Sequence, residues 1–351
     1  MILNETPVRT SNNFRINNIE IDELSIPSNI SDFNNCNITK GDDITCTENL
    51  ISNFNLKFGM GEELNNLSKQ SSNKNLTLVI DSKKDSKTSL EFNFDRQNDC
   101  LIENILISAN ANTKSTIVLK YLTEQDIKVF HNGIIKIEAQ ENSSVNVIIV
   151  NLLNNKSYNF LSLDINEKKN ANINVTSFEL GGKYSITNYY SNLNGDNSEN
   201  KLNTVYIGND NQIFDINYIA ELYGKKSNID IDVQGALNDN AKKHFKGTID
   251  FKKGCKKAVG NENENCILLS EKAKSIALPM LLCTEEDVEG NHSSSAGKIE
   301  EKELFYIMSR GVSKKEAIKL MVRAKFNRIL ENIKNEELFK LIDNEIDKRL
   351  N

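Results

Sequence analysis

The stretch SNIDIDVQGAL, residues 227–237, decides how the middle of this chain is read. Side chains alternate along an extended strand, so Ile229, Ile231 and Val233 share one face while Asp230 and Asp232 take the other. Similar runs recur on both sides: LTLVID (76–81), STIVLKYL (115–122), GIIKIEAQ (133–140), SVNVIIVNLL (144–153), LSLDINE (161–167), ANINVTSFEL (171–180), KYSITNYY (183–190), LNTVYIG (202–208), QIFDINYIAEL (212–222) and HFKGTIDF (244–251). They are rich in β-branched and aromatic residues. Asn, Gly, Asp and Lys fill the gaps, which suits turns. No helical periodicity intervenes between about 76 and 282. A long series of short strands folds as a sandwich, a barrel or a solenoid. The spacing obeys no strict repeat, and the Asn and Ser at the turns are compatible with a parallel β-helix.

The flanks differ. Residues 1–75 are rich in Asn, Ser and Asp with no sustained period, and are expected to form a weakly structured region with a few short elements. From residue 298 the period becomes helical. EEKELFYIMSRG predicts a helix from about 300 closed by Gly311 as a left-handed cap. SKKE (313–316) is a capping box, with Ser313 as cap and Glu316 reaching back. The helix after it places Ile318, Met321, Val322, Ile329 and Ile333 on one stripe, and a last helix over 336–349 does the same with Leu338, Leu341, Ile342 and Ile346. The expected organisation is an N-terminal irregular region (1–75), a β core (76–297) and a C-terminal helical domain (298–351).

Composition narrows the function. Of 351 residues, 38% are hydrophobic and 7% aromatic, without Trp, so the core is aliphatic. A net charge of -6 with mixed signs and no basic stripe argues against nucleic acid as a partner. No apolar run reaches the ~18 residues of a membrane span. MILNETPVRTSNNF has no apolar h-region, so no signal peptide is read and a cytoplasmic location is expected. The six cysteines, at 36, 46, 100, 255, 266 and 283, include no C-x-x-C pair, and reduced thiols are expected. There is no G-x-x-x-x-G-K-[ST] phosphate loop, so the chain is not expected to bind a nucleotide itself.

Only three histidines occur, and His292 lies in GNHSSSAG (290–297), just before the first C-terminal helix. It reads as a ligand, a catalyst or a turn residue. HFKGTIDFKKGCKKA (244–258), NCILLSEKAKSIALPMLLCTEEDVEGNHSSSAGKI (265–299) and EEKELFYIMSRGVSKKEA (300–317) stand in one order. Together they resemble the C-terminal blocks of the SufB/SufD family, the scaffold proteins of SUF iron–sulfur cluster assembly. The combination of a His-bearing segment with LFY-x-x-SRG is specific and covers about a third of the chain.

The resemblance implies a right-handed parallel β-helix flanked by helical regions, and a non-enzymatic scaffold role. It implies two partners: a SufC-type ABC ATPase docked on the C-terminal helices, and a second SufB/SufD-type scaffold, different or identical. It also implies a transient iron–sulfur cluster at the interface of the two scaffolds. His292 falls on the family's "SH" histidine, and imidazole is a competent iron ligand. Two departures matter. Gly290 stands where some members have Cys, and Ser293 where SufB-type chains have Glu, so the segment is closer to SufD. The cluster-linked Cys of SufB-type chains aligns with Glu264; Cys266, two residues on, shares a strand face with it. The candidate cluster ligands are therefore His292 and Cys266, with Glu264, Cys255 and Cys283 as weaker options. Cys283, inside LPMLLC, is expected to be buried; Cys36, Cys46 and Cys100 read as structural, and His131 and His244 as ordinary polar positions. Leu304, Phe305, Tyr306, Ser309, Arg310 and Gly311 are the candidate ATPase-docking residues. A homodimeric SufB-like scaffold is the near alternative. A β-helix carbohydrate-active enzyme and a purely structural solenoid are the distant ones.

Overall fold

The computed structural model describes residues 1–8, 16–48, 55–124 and 126–351. Short elements come first: β1 (Ile2–Leu3), β2 (Ile19–Glu20), β3 (Cys36–Thr39), β4 (Ile44–Glu48) and α1 (Glu62–Ser71). Sixteen strands follow: β5 (Lys74–Ile80), β6 (Ser86–Phe94), β7 (Cys100–Ala109), β8 (Lys114–Thr123), β9 (Phe130–Ala139), β10 (Ser144–Leu152), β11 (Tyr158–Glu167), β12 (Asn172–Glu179), β13 (Tyr184–Leu193), β14 (Glu199–Gly208), β15 (Ile213–Leu222), β16 (Asn228–Leu237), β17 (Lys242–Phe251), β18 (Ala258–Leu268), β19 (Lys274–Cys283) and β20 (Val288–Lys298). Three helices end the chain: α2 (Glu301–Ser309), α3 (Lys314–Leu330) and α4 (Glu336–Arg349).

Odd strands β5 to β19 form one parallel sheet and even strands β6 to β20 another, each ending in an antiparallel strand, β4 and β3 respectively. The fold is a parallel β-helix of eight two-strand coils. Coil length runs from 26 residues (Tyr158 to Tyr184) to 32 (Lys242 to Lys274), because the corners differ in length. This variation is why no strict repeat shows in the sequence.

The asparagines have a place in this design. Asn112, Asn142, Asn170 and Asn197 stack at successive corners, each with φ between 55° and 62°. Asn tolerates this left-handed conformation better than other residues with a side chain. The side-chain amides of Asn142, Asn170 and Asn197 each donate to the Oδ1 of the asparagine one coil below, at 3.1, 2.8 and 3.1 Å.

Inward-facing residues of both sheets, such as Ile107, Ile137, Ile165, Tyr218 and Ile231, form the main core. The outer faces are covered differently. Leu3, Ile19, Ile21, Met60 and Leu64 of the N-terminal region lie on Ile102, Phe130, Phe160 and Ile186 of the odd sheet. The described part of this region is thus held by contact with the β-helix; 9–15 and 49–54 lie outside the described residues. Helices α3 and α4 cover the even sheet, packing Val322, Phe326, Ile329, Ile342 and Ile346 on Val150, Phe178, Val205 and Ala236. The apolar stripes thus bury against the β-helix rather than in a bundle of their own. Ser313 accepts from the Glu316 amide at 3.2 Å, Asn335 caps α4, and Gly311 (φ 90°) ends α2. Among the described residues, no helix is long and apolar enough to cross a membrane.

Candidate functional site at the open end of the β-helix

Among the described residues, β19 pairs only with β17, and β20 only with β18, so the last coil presents two unpaired strand edges. The residues of β20, VEGNHSSSAGK, are poor strand formers taken alone. β18 templates them. Beside the backbone ladder, Asn291 donates to Asn261 (3.1 Å), Ser293 to Asn263 (2.8 Å), Ser294 to Glu264 (2.7 Å) and Ser295 to Asn265 (2.5 Å). His292 is therefore not a turn residue. It sits mid-strand on an exposed edge.

Alternate residues of β18 point into the β-helix, and Glu262, Glu264 and Cys266 occupy three successive inward positions. In register above them lie His292, Ser294 and Ala296. The structure thus brings His292, Glu264 and Cys266 to neighbouring rungs, and adds Glu262, which sequence reasoning passed over. The alternation N-E-N-E-N-C (261–266) was the available signal.

These groups have different surroundings. Glu264 is fully buried and paired with Lys243, also fully buried, at 2.6 Å. Its second oxygen accepts from Ser294. Glu262 is 2% exposed, and neither carboxylate oxygen has a hydrogen-bond partner. It lies against the bare Cα of Gly247 on β17, where any Cβ would collide with its carboxylate. Burial, and then the charge of Glu264, push the Glu262 carboxyl up to about 8. Cys266 packs in the apolar core, and burial raises its thiol despite the nearby Lys243 ammonium.

The remaining candidates separate. Cys255 is buried in the corner before β18, where burial pushes its thiol up to about 11. Cys283 corrects an expectation: it is exposed, not buried, because β19 is the last rung of its sheet and, among the described residues, no further coil covers it. Its thiol donates to the Glu285 carbonyl at 2.8 Å. Cys36 and Cys100 have thiols pushed up to about 12 by burial, in keeping with inert structural positions. His131 is a second correction. It is no ordinary polar residue but lies fully inside the β-helix, sharing hydrogen bonds with Asn159 (2.6 Å) and Glu103 (3.2 Å). His244 stands partly exposed, 3.5 Å from buried Asp215. Among the described residues, no three His, Cys, Asp or Glu side chains converge closely enough to hold a metal ion.

The helical candidates form a separate patch. On α2, Phe305 is 72% and Tyr306 59% exposed, with Met308 and, on α3, Leu320 also exposed. Arg310 donates to the Tyr306 hydroxyl at 2.6 Å and stacks on its ring, while Ser309 closes the turn on the Tyr306 carbonyl. Leu304 is only partly exposed.

Residues 92–325 match the SufBD core domain of the SUF system for iron–sulfur cluster assembly, two thirds of the chain. The chain belongs to the SufBD family. It is 30% identical over 166 residues to the iron–sulfur cluster assembly protein SufD of Bacillus subtilis, covering 47% of this chain and 38% of that one. It is 24% identical over 237 residues to SufD of Escherichia coli, covering 68% and 56%. A SufBD family protein of Pyrococcus horikoshii is 31% identical over 181 residues, covering 50% and 40%. The chain therefore spans about half or less of the length of these relatives. The SufBD match includes β18 to β20 and α2, so the open end and the exposed helix lie within the matched core.

Proposed function

We propose that this SufBD protein is a SufD-like scaffold subunit. Its open β-helix end joins a second SufB/SufD-type chain, and its C-terminal helices dock a SufC-type ABC ATPase. One observation carries this reading: two full-length strand edges stand unpaired at the C-terminal end, and His292 lies on one of them. An open edge of this length invites pairing with another strand. Pairing there would place His292 at the junction of the two scaffolds, beside donors from both. A nascent cluster is cargo that must leave, and imidazole, which exchanges a metal for a proton near neutral pH, suits such temporary ligation.

The ATPase part rests on α2. Phe305 and Tyr306 are large, exposed and adjacent, and aromatic anchors of this kind dominate protein interfaces. Because α3 and α4 are fastened to the even sheet, a force applied at α2 would reach the β-helix through packed side chains.

The test is capture of the ATPase from the same host by this chain, followed by anaerobic iron–sulfur reconstitution of the complex and of a His292→Ala form. Capture with cluster absorbance in the wild type alone is the expected result. Capture with equal absorbance in both would leave the docking role and remove His292. Failure of capture would remove the scaffold reading. Mass measurement of the complex distinguishes a second copy of this chain from a different partner scaffold.

A further inference from the structure

The outward faces of the even strands change character along their length. β8 runs Lys114, Thr116, Val118; β10 runs Ser144, Asn146, Ile148; β12 begins with Asn172 and Asn174. The polar starts lie in register coil upon coil, and Val118 lies beside Ile148. Helices α3 and α4 cover the apolar part of this face. Where α4 begins, a cleft of about 750 Å³ opens between its first turns and the outward residues of β6, β8, β10 and β12. That volume lies within the range of small-molecule sites. Val118, Ile148, Leu338 and Leu341 give the cleft an apolar side. Lys87, Lys114 and Lys334 give it a basic one, and among the described residues none of these three ammoniums has a carboxylate partner. We propose that this cleft binds a small amphipathic anion, with its apolar body on Val118, Ile148, Leu338 and Leu341 and its phosphate or carboxylate head among the three lysines.

The other polar groups of the cleft sharpen this choice. Asp85 and Glu337 also line it, but Asp85 already accepts from Thr116 at 3.0 Å, and a fourth lysine, Lys120, is taken by Glu91. Three free ammoniums against two carboxylates leave the cleft positive in a chain whose net charge is -6. Asn174 donates to Asn146 at 2.8 Å, while the Asn146 amide nitrogen has no partner among the described residues and supplies a neutral donor on the floor. An inorganic anion would leave the apolar side in water. A neutral apolar ligand would strip water from the ammoniums with nothing in return. The cleft lies on the first coils, separated from the β20 edge by β14, β16 and β18, so the proposal stands apart from the scaffold reading.

The experiment titrates anilinonaphthalene sulfonate, an aryl anion whose emission rises as it leaves water, into the full chain and then displaces it. The expected result is one saturable site per chain from which octyl phosphate or octanoate displaces the probe, the tighter of the two identifying the head group. Inorganic phosphate and octyl glucoside, which carry only the head or only the apolar body, should displace it poorly. Lys87→Gln combined with Lys114→Gln should weaken the probe and its competitor roughly fivefold or more. Asn146→Trp, which fills the cleft without changing its charge, should abolish binding. Unchanged affinity in the double lysine variant overturns the proposal, as does displacement by octyl glucoside or inorganic phosphate as readily as by the amphipathic anions. Loss of the signal in Phe305→Ser instead would place the probe on α2 and overturn it too. Should Asn146→Trp fail to fold, the exposed lysine pair still decides.

Discussion

At the N-terminal end of the β-helix, the short strands β3 and β4 pair antiparallel with β6 and β5, the first parallel strands, and Phe33 packs against Phe92 and Phe94, with ring centroids 6.2 and 5.1 Å apart. At the C-terminal end no such antiparallel strand is added among the described residues. β19 and β20 keep their full 10 and 11 residues, and the inward positions beneath β20 carry Glu262 and Glu264 instead of aromatics. A solenoid needs caps, because each coil buries its faces only against neighbours. One end meets that need with its own chain. The other leaves an edge that natural proteins normally blunt. The difference sets an end capped by its own chain against one whose strand edges stay available for pairing.

The comparison breaks most visibly at the closed end. Phe33→Ala should cost about 3–5 kcal/mol, the range for truncating a buried aromatic, read as a lower urea midpoint with an unchanged slope. A cost near zero would mean that β3 and β4 do not plug the β-helix. Just below the open end, Lys243→Ala should cost about as much, roughly 3–5 kcal/mol, by leaving Glu264 charged and unpaired. There the loss should be reversible: adding Glu264→Leu to Lys243→Met should return most of the stability, since an apolar pair replaces a buried ion pair at little cost.

How much of this was legible in the sequence follows the same division. NIDIDV declares its two faces because its strand sits in the middle of the stack, where periodicity and burial agree. The Ser313 cap, the Gly311 stop and the bounds of the last helix were equally readable, being local chemistry. The open end was not. VEGNHSSSAGK has neither strand propensity nor alternation, and becomes a strand only because β18 offers matching polar rungs. LPMLLC reads as core, yet Cys283 is exposed, since no further coil stacks on β19 among the described residues. His131 was missed for the opposite reason: a lone histidine gives no hint that Glu103 and Asn159 from neighbouring coils surround it. The family resemblance supplied His292 as a candidate, while its strand and its neighbour Glu262 came from the three-dimensional register.

A pH series sharpens the contrast between the ends. Burial raises the Glu262 carboxyl from an ordinary 4.5 to about 8, so between those values the folded chain holds a proton that the unfolded chain has released. Stability from this group is full below about 4.5, declines as pH rises, and is lost above about 8. Glu262→Gln removes the dependence. The variant should match the wild type near pH 4.5 and exceed it by about 3–5 kcal/mol at pH 8.5, since each tenfold change in proton affinity is worth about 1.4 kcal/mol. Parallel stability curves for the two proteins across this window would show that Glu262 is not held as the structure places it. Phe33→Ala, in contrast, should shift the curve without changing its shape.

The smallest stability effects belong to the exposed residues of the contact end, and their smallness is the point. His292 stands on an uncovered edge and Phe305 projects from α2 into solvent, so His292→Ala and Phe305→Ser should each move the urea midpoint by no more than about 0.5 kcal/mol equivalent. Their functional effects should diverge. Phe305→Ser removes the most exposed aromatic of the α2 patch and should abolish capture of the ATPase while leaving cluster uptake by the chain under anaerobic reconstitution intact. His292→Ala should do the reverse, because α2 and the β20 edge share no side-chain hydrogen bond among those described. If both variants lost both properties, α2 and the strand edge would form one continuous partner surface. If each lost only its own, the contact end carries two independent surfaces, one for a motor and one for a second scaffold, held in fixed relation by the α3 and α4 packing on the even sheet.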